Sequence, residues 1–124
     1  VVRWPAETPS GVCIDDLVDF SDFLPTLADL AGASLPEGVE YDGHSFAPQL
    51  RGEQGDPREW VYSGLRGRHW VRTRCWKLYA DGRLFNVCDD AAEKPPIDKS
   101  EAPAEAKAAR RTLQAVLQEL GVAK

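Results

Sequence analysis

Apolar residues in the first third of the chain come in short bursts divided by prolines and glycines. Val1-Val2-Arg3-Trp4 predicts the end of a buried strand, which Pro5, Pro9 and Gly11 break. Cys13 to Phe20 alternates imperfectly. Beyond it Phe23, Leu24, Leu27, Leu30 and Ala31 recur at helical spacing, with Asp22 placed to cap the helix and Gly32 to end it. Pro25 is tolerated there because the first turn has unpaired amides anyway. The stretch from Ala33 to Gly43 is rich in turn residues, and Phe46 to Leu50 reads as a single helical turn before Gly52.

Residues 53 to 58 are polar and separate this part from a strand-rich second half, with no repeat across the divide. Trp60-Val61-Tyr62 and His69-Trp70-Val71 are β-prone, and Trp76 to Tyr79 and Leu84 to Val87 flank Asp81-Gly82, a strong hairpin signal. A two-residue turn there sets Leu78 against Phe85 and Trp76 against Val87 on one face, with Lys77 against Asn86 on the other. The same register places Cys75 opposite Cys88 as a non-hydrogen-bonded pair, whose alpha carbons would lie about 4.5 Å apart. That is disulfide range. Two reduced thiols on neighbouring strands are the competing reading, since an added bulge would shift the register. After a polar, proline-bearing stretch, Ser100 is placed to cap a last helix with Ala106, Ala109, Leu113, Val116, Leu117 and Leu120 along one face and Gly121 at its end. Its mixed-charge outer face suits packing on a sheet better than lying on a membrane.

At 124 residues the chain is of single-domain size and long enough to bury a core. A net charge of −5 disfavours a general nucleic-acid role, and no stretch approaches the roughly 20 apolar residues of a membrane span. The chain opens with Val1 and contains no methionine, which predicts a piece cut from something longer, so the lack of a leader pattern is uninformative. Cys13, Cys75, Cys88, His44 and His69 match no zinc-finger spacing.

Arg66, Arg68, His69, Arg72 and Arg74 form the one dense basic run. Arg66, Arg68 and His69, together with the turn residue His44, are the candidate contacts for an anionic substrate. A solvated strand face, partly neutralised by Asp56, Glu59 and Asp81, is the simpler reading of the run. Asp15, Asp16 and Asp19 suit solvated or capping roles better than metal binding, because adjacent carboxylates on an extended segment point to opposite faces.

A collinear set of short motifs spans residues 1 to 94: Val2-Arg3-Trp4-Pro5, Asp15-Asp16-Leu17-Val18, Asp22-Phe23-Leu24-Pro25-Thr26-Leu27, Leu30-Ala31-Gly32, Leu35-Pro36, Asp42-Gly43-His44-Ser45 and Leu50-Arg51-Gly52-Glu53. It continues through Val71-Arg72-Thr73, Trp76-Lys77-Leu78 and Leu84-Phe85-Asn86 to Asp90 to Lys94. The succession resembles the C-terminal portion of arylsulfatase-type sulfatases, in the alkaline phosphatase superfamily. Ala6 and Ala91 depart from the pattern, where a glycine and a proline are common.

The resemblance implies an α+β fold. Residues 1–52 would end the large catalytic α/β domain as a strand and helix, and residues 53–124 would form a small antiparallel sheet with a packed C-terminal helix. It further implies a parent sulfuric ester hydrolase that uses a formylglycine nucleophile and calcium on a sulfated small molecule or carbohydrate. Cys13, Cys75 and Cys88 all lack the Cys-x-Pro/Ala-x-Arg context of a formylglycine precursor, and the family's calcium ligands lie in segments upstream. The chain is therefore expected to lack catalytic and metal residues, to be inactive alone, and to need the N-terminal catalytic domain of the same protein as partner. A Cys75 to Cys88 bridge would favour an oxidising compartment such as the periplasm or cell exterior. The rival reading is an autonomous, non-catalytic protein-interaction domain. Val1, Val2 and Trp4 discriminate: packed inside, they favour autonomy; exposed, they imply a missing catalytic domain.

Overall fold

The computed structural model describes residues 1–122. It divides into two compact units, Val1–Arg58 and a second that starts at Glu59.

In the first unit a 3-10 turn, Phe20–Asp22, leads into helix α1, Phe23–Ala31, and a single helical turn, α2, Ala47–Leu50, follows. The start is fixed by a reciprocal cap. Asp19 Oδ1 accepts from Ser21 N at 3.1 Å, and Asp19 N donates to Asp22 Oδ2 at 2.7 Å. The cap expected of Asp22 thus falls to Asp19, because Asp22 turns inward and serves Arg58 instead. Gly32, at φ 64°, ends α1 as its position predicts, and Ala33 N closes back on Ala28 O at 2.9 Å.

The apolar stripe of α1 does not face inward. Thr26 and Asp22 are the buried residues, whereas Phe20, Phe23, Leu24 and Leu27 are 91%, 47%, 54% and 61% exposed. The expected opening strand finds no ladder partner. Val1 and Val2 are fully and half exposed, and Trp4 O accepts two turn bonds, from Glu7 N and Thr8 N. A strand needs a neighbour for its amides and carbonyls, and in the described residues none lies beside this segment.

The second unit is a four-stranded antiparallel meander in the order β1 (Val61–Leu65), β2 (Arg68–Arg72), β3 (Trp76–Tyr79), β4 (Leu84–Asn86), with helix α3 (Ala104–Glu119) packed on one face. Arg66 and Gly67 make the β1–β2 turn, both at positive φ (50° and 76°), the twist that suits a two-residue hairpin. Val71, Leu78 and Leu84 line the helix side of the sheet. Ala106, Leu113, Val116 and Leu117 of α3 complete that core with Ala102.

The β3–β4 register differs from the sequence expectation by one residue. Leu78 pairs with Leu84, Lys77 with Phe85 and Trp76 with Asn86. The turn holds three residues rather than two: Gly82 N donates to Tyr79 O, Tyr79 N donates to Arg83 O, both at 2.9 Å, and Gly82 takes φ 90°. This is a turn plus a glycine bulge, and its extra residue moves β4 by one place. A one-residue slip exchanges faces. Leu84 therefore joins the core beneath α3, while Phe85 is buried on the opposite face beside Tyr79.

α3 starts at Ala104 with Pro103 at its N-cap position, not at a cap by Ser100. Ser100 N and Oγ both donate to Asp98 Oδ1, at 2.8 and 2.7 Å, so a local turn claims that hydroxyl. At the other end Gly121, at φ 68°, terminates the helix, while Leu120 stays exposed.

Candidate functional site

The basic run of the sequence is dispersed by the sheet. Arg66 sits exposed at the β1–β2 turn, and Arg68 is exposed at the start of β2. His69 is half-buried: its Nδ1 lies 2.7 Å from Tyr62 Oη, and the two rings stack with centroids 6.1 Å apart. Gly64, opposite His69 in the ladder, is what lets them meet, since a Cβ there would lie 2.6 Å from His69 Nδ1 and 2.7 Å from Tyr62 Oη. Arg72 is spent on the backbone, donating to Thr73 O and Arg74 O.

Arg68 and His69 share a shallow recess of about 350 Å³ with Gly67, Tyr79, Ala80, Asp81 and Arg83. Arg83 is held by Asp81 at 2.8 Å, and this hydrogen-bonded pairing keeps the Asp81 carboxyl below its usual range. Among the described residues Arg68, which also lines this recess, has no carboxylate partner. His44 belongs to the first unit; it is exposed there, and its backbone N donates to Asp22 Oδ1 at 2.7 Å.

Cys75 and Cys88 form a disulfide with alpha carbons 4.8 Å apart. In the shifted register Val87 N donates to Cys75 O, so Cys88 lies one residue beyond the ladder partner of Cys75, and the bridge closes the open end of the hairpin.

Two ionic centres went unnoticed in the sequence. On the sheet face away from α3, Lys77 Nζ contacts Glu93 Oε1 at 2.6 Å and lies 4.3 Å from the Trp70 ring centroid, while Tyr79 Oη donates to Glu93 Oε2 at 2.7 Å. Burial pushes the Glu93 carboxyl up, but the hydrogen bonds from Lys77 and Tyr79 outweigh it and leave it below its ordinary value. Burial likewise opposes the Lys77 charge, and the bonds to Glu93 and Tyr79 reverse the direction to a raised value. The signal was the acidic turn from Asp90 to Lys94, which held the glutamate without indicating its partner.

In the first unit Asp22 is 1% exposed and accepts from Arg58 Nε with both oxygens, at 2.7 and 2.8 Å. Arg58 also reaches Ser21 Oγ and the Asp42 carbonyl. Burial raises the Asp22 carboxyl, yet Arg58 and the amides of Asp19 and His44 more than offset this and hold it below its ordinary value.

The side chains present do not fit formylglycine chemistry or a calcium site. Cys75 and Cys88 are bridged, Cys13 is exposed in a Cys-Ile-Asp-Asp context, and the buried Asp22 has both oxygens occupied by protein donors. Among the described residues no three His, Cys, Asp or Glu side chains converge.

No family model matches the sequence. Human steryl-sulfatase is 42% identical over 94 residues, covering 69% of this chain and 16% of that protein. Human arylsulfatase A is 33% identical over 122 residues, covering 82% of this chain and 24% of that protein. The solved structure of a 2-O GAG sulfatase superposes with a TM-score of 0.59 at 29% identity, covering 79% of this chain and 24% of that one.

The chain belongs to the sulfatase family. It corresponds to the C-terminal portion of these enzymes, and its meander sheet with a packed helix matches their C-terminal subdomain. This sulfatase portion spans between 13% and 28% of the length of the curated relatives it matches. Val1, Val2 and Trp4 do not pack inside it, so the reading as an autonomous interaction domain is not favoured.

Proposed function

We propose that this chain serves a structural role in a larger sulfuric ester hydrolase and is inactive alone. Residues 1–52 close one side of the catalytic α/β domain, and residues 53–124 form the C-terminal subdomain. The parent supplies the formylglycine nucleophile and the calcium ion from upstream segments.

The observation that carries this reading is the exposed apolar surface of the first unit. Phe20, Phe23, Leu24 and Leu27 line up along one helical element, outward, with Val1 and Val2 also in solvent. Contiguous apolar exposure of this kind marks an interface. The upstream catalytic portion is its occupant, because the family relatives carry at least about three times this length beyond the matched region.

Arg66, Arg68 and His69 on the second unit, and His44 on the first, select the parent's anionic substrate, a sulfated small molecule or carbohydrate. The relatives include an ulvan-active sulfatase, a steryl-sulfatase and an arylsulfatase, which supports the class rather than one compound. The Cys75–Cys88 bridge supports maturation in an oxidising compartment.

Calcium-dependent sulfate release from an aryl sulfate would be measured for the parent, for the parent cut before Val1, and for this chain. Turnover by the intact parent alone is expected; release by this chain by itself would overturn the proposal. In the parent, Arg68→Ala should raise KM for a sulfated substrate several-fold with kcat held. An unchanged KM would remove Arg68 from substrate selection.

A further inference from the structure

The second unit contains a small cavity, distinct from the recess at Arg68, that is built around unpaired positive charge. It encloses about 70 Å³ between the β3–β4 turn and α3, and its lining includes Gly82, Lys99, Arg110 and Gln114. Arg110 Nη1 donates to Gly82 O at 2.5 Å, which fixes the guanidinium against the turn. Its Nη2 is buried and has no hydrogen-bond partner. Lys99 Nζ lies 3.6 Å from the position a Cβ on Gly82 would take, so both cations converge on the same glycine. Gln114 sits one helical turn beyond Arg110 and adds an amide to the lining.

Neither Lys99 nor Arg110 has a carboxylate partner among the described residues. A buried guanidinium N–H left unsatisfied is destabilising, and Lys99 adds a second positive charge to the lining of the same cavity. An acceptor carrying negative charge satisfies the one and complements the other. The volume suits an object of about two waters' size, and the donors are a planar guanidinium edge, a point-charge ammonium and an amide. This set matches a tetrahedral oxyanion better than a halide, because several acceptor oxygens can meet several donors at once.

We propose that this cavity is a binding site for a small inorganic oxyanion, sulfate or phosphate, held by Arg110 and Lys99 against the Gly82 turn. The site stands apart from catalysis and does not depend on the role assigned to Arg66, Arg68, His69 or His44. Gly82 contributes through its backbone: its positive φ builds the turn that presents the carbonyl to Arg110.

The test is a titration of the 15N-labelled 124-residue chain with sodium sulfate, and separately with sodium phosphate, at constant ionic strength set with sodium chloride. Saturable shifts of the Gly82 and Arg83 amides and the Arg110 side-chain N–H are expected. The better of the two anions identifies the source of the ligand. Arg110→Met, which keeps the aliphatic stem, and the exposed Lys99→Met should each weaken binding about tenfold or more. Both variants would be checked for an unchanged amide spectrum elsewhere, and Lys99→Met serves if Arg110→Met disturbs the fold. Linear, non-saturating shifts with both anions, or equal affinity in the wild-type chain and Lys99→Met, would overturn the proposal. So would a crystal structure grown in sulfate with water alone at Arg110 Nη2.

Discussion

Asp22 and Arg58 show how a single ion pair can organise a loop-rich unit. The carboxylate collects Arg58 and the amides of Asp19 and His44, so it ties the start of α1 to two later loops. Removing one partner leaves the other charge buried, a change that costs about 3–5 kcal/mol. Arg58→Met should therefore lower the urea midpoint of the first unit sharply, whereas a loss under about 1 kcal/mol would mean the pair is dispensable.

Glu93 makes a similar argument in the second unit, with a pH signature. Its folded carboxyl is held below the ordinary value of 4.5 by Lys77 and Tyr79. The stability it contributes is present above the unfolded value and is lost as pH falls through the folded one. Between neutral pH and about pH 3, wild type should lose more stability than Glu93→Gln, with parallel acid titrations counting against the assignment. Neither partner was legible in advance. The two-residue turn sets Lys77 opposite Asn86, and the glutamate lies sixteen positions away on a turn no pairing rule reaches.

At the scale of elements, much of the second unit could be read directly. The four β-prone runs became a meander, and the spacing of Ala106, Leu113, Val116 and Leu117 identified the buried face of α3. The β3–β4 register was not legible, because Asp81-Gly82 suits both a two-residue turn and a three-residue turn with a bulge. Packing decides between them by burying Leu84 and Phe85 on opposite faces. Ser100 failed as a cap for a local reason, since Asp98 takes its hydroxyl first.

Two element-level outcomes follow. Leu113 is fully buried in the sheet–helix core, so Leu113→Ala should cost about 2–5 kcal/mol. Chemical denaturation would check it, and a cost below about 1 kcal/mol would contradict the packing. The Cys75–Cys88 bridge closes a loop with a sequence separation of 13. Its reduction should cost about 3 kcal/mol, by restoring chain entropy to the unfolded state. An unchanged midpoint in reductant would show that the bridge does not constrain that state.

For the whole chain, the helical periodicity of α1 was legible but its orientation was not. Periodicity tells which residues share a face and not what covers that face. Phe23, Leu24 and Leu27 share the apolar stripe at helical spacing, yet they are exposed while Thr26 and Asp22 are buried. The opening strand went the same way, since β structure exists only with a neighbour. Both departures fall in the first unit and both consist of apolar groups without cover, which is the pattern of a surface completed by another part of the protein.

Hydrogen–deuterium exchange across α1, compared between this chain alone and the longer sulfatase proposed to contain it, tests that claim most directly. The account predicts that the amides of Phe23–Ala31 exchange far faster in the isolated chain, and that a Leu24→Ser, Leu27→Ser variant of the longer enzyme loses the added protection. Equal protection in both settings would contradict it, for α1 would then be stabilised by this chain alone and its apolar face would need no partner.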